Sequence, residues 1–117
     1  MDTTKGKNVW PDTVCPHYHR AVELIGRRWT GVVLSALLDG STRFSELRDA
    51  IPNISDRMLS ERLKELEADG IVERVVIPET PVRIEYHPTE KGRSLQCVVD
   101  VIRDWASEWV AGSGDSC

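Results

Sequence analysis

The chain has 117 residues, a length that fits one domain with a single hydrophobic core. Its hydrophobic content of 40% and its charged content of 29% are typical of an ordinary globular protein. It contains no apolar run of the ~18 residues that a membrane span requires, and its N-terminus lacks the apolar core of a secretory signal. The composition therefore argues against a membrane partner, and we expect a cytoplasmic protein.

Two helices are predicted in the N-terminal third of the chain. Apolar residues recur at helical spacing over residues 17–25 and over residues 28–38. Pro16 occupies the first position of the earlier helix, which proline favours, and a glycine follows each segment.

The next segment predicts a helix-turn-helix. Residues 44–51 carry apolar side chains at helical spacing, and Pro52 ends this helix. After a connector of three residues, Ser55 stands where an N-cap is needed, and a longer amphipathic helix follows over residues 56–69. Two helices joined by so short a connector form a motif whose second helix can enter the major groove of DNA.

Segments with high β-propensity follow the longer helix. Residues 71–77 and 82–86 flank a turn that contains Pro78 and Pro81, and residues 41–43 are a candidate third strand. This order predicts a hairpin, or wing, behind the helix-turn-helix. The predicted fold class is α+β and mostly α: a winged helix-turn-helix with added N- and C-terminal dimerisation helices.

A single long helix is predicted over residues 89–111, with Thr89 as its N-cap. Its apolar residues form one stripe that carries two tryptophans. One reading is that the helix packs on its own domain. However, the preceding elements already cover a core of this size, and long exposed aromatic stripes are rare on monomers. We therefore predict a dimer interface made of Leu95, Val98, Ile102, Trp105 and Trp109 of this helix together with Val22 of the first helix.

Outside these elements the sequence is polar and rich in small residues. We expect a flexible N-terminal arm over residues 1–14 and a disordered tail over residues 112–117, which leaves residues 15–111 as the domain.

The second helix of the motif has a buried face and a solvent face. On a helical wheel its leucines fall on one side and Arg57 and Lys64 on the other, with Ser60 on the flank. Arginine can read guanine with two hydrogen bonds, and a helix N-terminus offers N–H groups to a phosphate. The candidate DNA-binding residues, including one arginine near the predicted wing tip, are Arg43, Ser55, Arg57, Ser60, Lys64 and Arg83.

Charge is the main argument against DNA. The net charge is −4 and the pI is about 5.3, and residues 43–93 contain nine Lys and Arg against eleven Asp and Glu. A nucleic-acid binder is expected to show a basic surface, and Asp56 and Glu61 would oppose phosphates. The alternative function is therefore a winged helix that binds another protein and no specific DNA.

Motifs spread over residues 15–110 fit one known family in a single register. They lie at residues 15–16, 24–30, 38–40, 43–47, 54–70, 78–81, 83–86 and 89–92. In these motifs the chain closely resembles the HxlR-type transcription regulators, a MarR-like branch of winged-helix proteins. The resemblance implies a homodimer, built from the first and last helices, that binds a pseudo-palindromic operator with two reading helices and two wings. Glu61 departs from relatives, which often carry a basic or neutral residue there.

Cys15 is a candidate sensor. It begins a helix, where the dipole and the unpaired N–H groups favour a reactive thiolate. Several relatives in the resembled family sense oxidants or electrophiles through a cysteine near this position. The alternative is that Cys15 packs as a small hydrophobe at the dimer interface. Cys97, between apolar neighbours, is expected to be buried.

No catalytic or metal site is predicted. His17 and His19 are two apart on a helix and face away from each other, and no fourth ligand is evident nearby. Three cysteines, an odd number, do not make a disulfide framework. We therefore predict a homodimeric, sequence-specific DNA-binding transcription regulator without enzymatic activity, cofactor or metal, whose effector would be an electrophile or another small molecule.

Overall fold

The computed structural model describes residues 15–110, within which the chain forms six helices and one two-stranded sheet. In chain order the elements are α1 (Pro16–Gly26), α2 (Thr30–Leu38), α3 (Phe44–Ala50), α4 (Asp56–Ala68), β1 (Val72–Ile77), β2 (Arg83–Pro88), α5 (Glu90–Arg93) and α6 (Gln96–Trp109). The predicted arm and tail, residues 1–14 and 112–117, lie outside the described residues. No helix within residues 15–110 is both long and apolar enough to cross a membrane.

The predicted helix-turn-helix consists of α3, its connector and α4. Asn53 turns the chain with a φ of 70°, a left-handed conformation that asparagine tolerates better than most residues. Ser55 then caps α4, because its Oγ accepts a hydrogen bond from the N–H of Met58 at 3.0 Å. The predicted N-cap is therefore confirmed.

A glycine turn ends α4 and sends the chain into the hairpin. Gly70 has a φ of 76°, and its N–H donates to the carbonyl of Glu67. The N–H of Ile71 donates to the carbonyl of Leu66, which completes a Schellman motif. The last carbonyls of α4 are thus satisfied at the point where β1 begins.

The core lies between α2, α3 and α4 and extends into the first residues of the hairpin. Its almost fully buried side chains are Val33, Leu34, Leu37, Leu47, Ile51, Leu59, Leu63, Leu66, Ile71 and Val72. Because three of these leucines belong to α4, their burial fixes which face of α4 points outward.

The two strands pair in one continuous antiparallel register. Arg43 forms a single antiparallel bridge with Glu85 of β2. The predicted third strand over residues 41–43 is therefore reduced to one bridge, because the chain turns into α3 directly at Phe44.

The prediction of one helix over residues 89–111 is wrong. The chain forms the short α5, is interrupted at Ser94 and Leu95, and starts again as α6. Thr89 is the N-cap of α5, as predicted for the longer helix, and its Oγ1 accepts the N–H of Gly92 at 3.1 Å. Gly92 is buried against Ile71, where a Cβ would overlap the carbonyl oxygen. This close approach fixes α5 against the end of α4.

The start of α2 also differs from the prediction, by two residues. Trp29 has a φ of 74°, which is uncommon for a residue with a large side chain, and it precedes the helix as its N-cap. Its ring packs against the core, and the guanidinium of Arg28 lies 5.6 Å from the ring centroid. Residues 27–29 therefore separate α1 from α2, whereas the sequence predicts a break over residues 26–27.

Candidate nucleic-acid interface

Arg57 and Lys64 lie on the outward face of α4, as the helical wheel predicts. The Arg57 side chain is 89% exposed, Lys64 is exposed, and Ser60 is half-buried at the side of this face. The oxygen of Ser55 accepts the N–H of Met58, and its hydroxyl hydrogen can still donate to a phosphate oxygen. Arg57, Ser60 and Lys64 therefore lie on the sides of α4 that the helical wheel predicts, and Ser55 lies at its N-cap.

Carboxylates neutralise two of the arginines on this part of the surface. Nε of Arg57 lies 3.2 Å from Oε2 of Glu61, one turn further along α4. Nη1 of Arg48, on α3, lies 3.3 Å from Oδ1 of Asp56. Lys64 takes part in none of the ion pairs found among residues 15–110. Asp56 and Glu61 are thus members of ion pairs rather than isolated negative charges on this surface.

Arg83, at the start of β2, is paired with two glutamates. Its Nη2 lies 3.2 Å from Oε2 of Glu79, and its Nε lies 3.1 Å from Oε2 of Glu85 without hydrogen-bond geometry. Glu85 also meets Nε2 of His87 at 2.8 Å. The predicted wing arginine is therefore in place, but two carboxylates already neutralise its charge.

Arg43 stands where the sheet meets α3. Its backbone bridge to Glu85 places it beside the strand that carries Arg83. The N–H groups of Thr42 and Arg43 donate to Oε1 of Glu46 at 2.9 and 3.1 Å. These hydrogen bonds lower the pKa of the Glu46 carboxyl, because they stabilise its charged form. Glu46 therefore holds the backbone of Arg43 in position.

A chain of ion pairs joins the outer face of α4 to the end of α1. Arg62 is only 12% exposed, and its Nη1 lies 2.5 Å from Oε1 of Glu65 while its Nη2 lies 3.9 Å from Oε1 of Glu61. Arg27, directly after α1, donates to the same Glu65 oxygen at 2.7 Å, and this hydrogen bond raises the pKa of Arg27. Sequence reasoning missed these residues. The spacing of Arg57 and Glu61 could have indicated their pair, but Arg27 and Glu65 are 38 residues apart.

The predicted dimer stripe divides into a buried part and an exposed part. Val99 is buried, Leu95 packs against the core of its own chain, and Val98 is half-buried. Trp105 and Trp109, in contrast, are 59% and 67% exposed. The exposed large apolar side chains of α1 and α6 are Tyr18, Val22, Val101, Ile102, Trp105 and Trp109.

The two described cysteines are both exposed. Cys15 is the N-cap residue of α1, as predicted. The prediction that Cys97 is buried is wrong, because its neighbours Val98 and Val99 are the residues of this turn that face inward. Among the described residues, no group of three or more His, Cys, Asp and Glu side chains is arranged to hold a metal ion.

Comparison with known proteins identifies the family. The family described as HxlR-like helix-turn-helix matches residues 24–113. The chain belongs to this family. It is 53% identical over 97 residues to the uncharacterized HTH-type transcriptional regulator YvaP of Bacillus subtilis strain 168. The aligned residues cover 83% of this chain and 90% of that protein. This chain is 46% identical over 106 residues to the HTH-type transcriptional regulator YodB of the same organism, which covers 91% and 95%. This HxlR-like chain is therefore a helix-turn-helix transcriptional regulator.

Solved structures of relatives share its fold. The reduced form of YodB matches with a TM-score of 0.74 and 48% identity, covering 87% of this chain and 99% of that chain. Quinone-bound YodB matches with a TM-score of 0.69 and 45% identity, covering 82% and 100%. The redox regulator HypR in its oxidized form matches with a TM-score of 0.74 and 40% identity, covering 80% and 96%. The predicted winged helix-turn-helix fold class is confirmed.

Proposed function

We propose that this HxlR-like regulator binds double-stranded DNA as a homodimer, with α4 of each subunit in a major groove. The observation that carries the proposal is the outward face of α4, where the almost fully exposed Arg57 follows a capped helix start and a short connector. In docked helix-turn-helix proteins, the N-terminal part of the second helix reaches the base edges. We assign base contacts to Arg57 and Ser60, and phosphate contacts to Arg43, Ser55, Lys64 and Arg83.

The proposed dimer is formed by α1 and α6. Both helices expose large apolar side chains, and the two tryptophans of α6 leave more than half of their surface in water. Such surface favours burial against a second copy of the same chain. A two-fold dimer would bind a pseudo-palindromic operator, with the half-sites roughly 34 Å apart, one turn of DNA.

The proposed effector is an oxidant or an electrophile that modifies Cys15. Cys15 is exposed at the start of α1, one of the two proposed dimer helices. The relatives YodB, solved with bound quinone, and HypR, a redox regulator solved in its oxidized form, support a thiol response. Modification of Cys15 would add bulk or a cross-link near the subunit interface, and a shift in the spacing of the reading helices would change operator affinity.

The test is binding to an operator selected from the organism's own genomic fragments. Arg57→Ala is expected to weaken specific binding by about 1–3 kcal/mol and to relax preference at one base position. Lys64→Ala is expected to weaken binding to all sequences alike and to reduce the salt slope by roughly one unit. Arg83→Ala should act in the same way but less strongly, because Arg83 begins with two glutamate partners. Wild-type affinity in all three variants would refute the assignment of α4 as the reading helix.

A further inference from the structure

We propose that Glu61 is a specificity-determining residue, which positions Arg57 for a base edge and withholds it from phosphates. The inference rests on the proposed DNA-binding function and adds a role for a carboxylate on the reading surface. Without such a role, a carboxylate on this surface would only repel the phosphates of DNA.

The geometry of the pair leaves the reading end of the arginine free. Glu61 accepts from Nε of Arg57 at 3.2 Å, which is the side edge of the guanidinium. The two Nη groups at the far end donate no hydrogen bond to any of residues 15–110. These are the groups that bind O6 and N7 of guanine in a bidentate contact. Glu61 can therefore keep its hydrogen bond while Arg57 reads a base.

Glu61 is itself held from the other side. Its Oε1 lies 3.9 Å from Nη2 of Arg62, which is almost buried and bound to Glu65. Nε of Arg62 also donates to the sulfur of Met58 at 3.3 Å. The carboxylate therefore lies between a largely buried arginine and an exposed one, and it can order Arg57, whose side chain is otherwise surrounded by solvent.

An ordered Arg57 favours specific over nonspecific complexes. Nonspecific binding is supplied almost entirely by phosphate contacts, whereas a specific complex also gains from base edges. A phosphate that approaches the free Nη groups is repelled by the Glu61 carboxylate and meets a guanidinium whose charge is already neutralised, so this contact gains little. A guanine edge is uncharged and meets no such repulsion. Glu61 thus lowers affinity for random DNA more than affinity for the operator.

The experiment compares Glu61→Ala and Glu61→Gln with wild type on a selected operator and on a scrambled duplex of equal length. Glu61→Ala is expected to lower the ratio of operator to scrambled affinity by about 3- to 10-fold, a part of the roughly 5- to 150-fold that a bidentate contact provides. Its salt slope on scrambled DNA should steepen by about 0.9, the value of one added phosphate contact. Glu61→Gln keeps an acceptor at the same reach, so it should retain more discrimination than Glu61→Ala.

Glu79→Ala is the matched control, because Glu79 also lies 3.2 Å from an arginine four residues away. It removes one of the two carboxylates that pair with Arg83, which is assigned to a phosphate, and should raise both affinities equally. In an Arg57→Ala background, Glu61→Ala should no longer change the ratio.

Equal increases in both affinities in Glu61→Ala would overturn the proposal, since they would show simple repulsion of DNA. An unchanged ratio, or the same loss in the Arg57→Ala background, would also overturn it. If wild type showed no operator preference, the proposed function would fail together with this inference. A loss of preference confined to the Glu61 variants supports it.

Discussion

Gly92→Ala should destabilise the fold, although alanine is the better helix former. A Cβ at residue 92 would overlap the carbonyl oxygen of Ile71 and lie 3.2 Å from its Cγ2. The same carbonyl accepts the N–H of Thr89 at 2.9 Å, and the Thr89 hydroxyl is shared between the carbonyls of Gly70 at 2.6 Å and Ile71 at 3.1 Å. Helix α5 therefore cannot retreat without weakening these bonds. Over-packing costs about 1–3 kcal/mol, and a lost hydrogen bond adds about 1 kcal/mol. Helix propensity returns about 1 kcal/mol, which leaves a net loss of roughly 2 kcal/mol.

Urea denaturation followed by circular dichroism measures this loss. Both proteins are compared at the same concentration, because the stability of a dimer depends on protein concentration. A loss of about 2 kcal/mol corresponds to a decrease in Tm of roughly 8–16 °C. Gly26→Ala is the matched control: it lies at the end of α1, where nothing is found within 4 Å of an added Cβ, and we expect no loss. Equal stability of the two variants would refute the claim that Ile71 excludes a side chain at residue 92.

Three further predictions concern assembly, the effector and pH. We expect wild type to sediment as a dimer at ~10 μM, a concentration at which a specific dimer should persist. The double variant Ile102→Asp/Trp105→Asp should sediment as a monomer. If that variant is still a dimer, another surface forms the interface. Diamide or a quinone should change operator affinity by about 1–3 kcal/mol in wild type and not in Cys15→Ser, and equal responses would exclude Cys15 as the sensor. The lowered pKa of Glu46 means that its contribution to stability is present above its ordinary value of 4.5 and is lost as the pH falls through the folded-state value. Glu46→Gln should therefore flatten the acid side of a plot of urea midpoint against pH, and an unchanged plot would contradict this reasoning.

The helix-turn-helix was predictable because its signals are local. The apolar spacing, the Ser55 N-cap and the Gly70 terminator each act within a few residues, and α4 falls within one residue of its predicted bounds. The packing of α5 was not predictable, because it depends on the contact between Gly92 and Ile71, which are distant in sequence. Glycine at residue 92 looks only unfavourable until that partner is known.

The candidate site also has a part that the sequence predicts and a part that it does not. The outward direction of Arg57 and Lys64 follows from helical period alone, and the structure places both there. The state of each charge does not follow from the period. Arg83 looks like a free wing cation in the sequence, but the turn of the hairpin brings Glu79 to it at 3.2 Å, and Glu85, two residues further along β2, lies at 3.1 Å.

The acidic composition and a DNA-binding function are compatible because of where the carboxylates lie. At physiological ionic strength, charges are screened beyond ~8 Å, so DNA meets the local field of the surface more than the net charge of −4. On that surface four carboxylates lie at ion-pair distance from three arginines, which brings the local field close to neutral. Arg83, which is assigned to a phosphate, already has two carboxylate partners, so its contact with the DNA backbone adds less affinity than it would on a basic surface. Base contacts then supply a larger share of the binding free energy. An acidic winged helix of this kind is therefore expected to bind DNA weakly in general and to rely on its operator sequence for affinity.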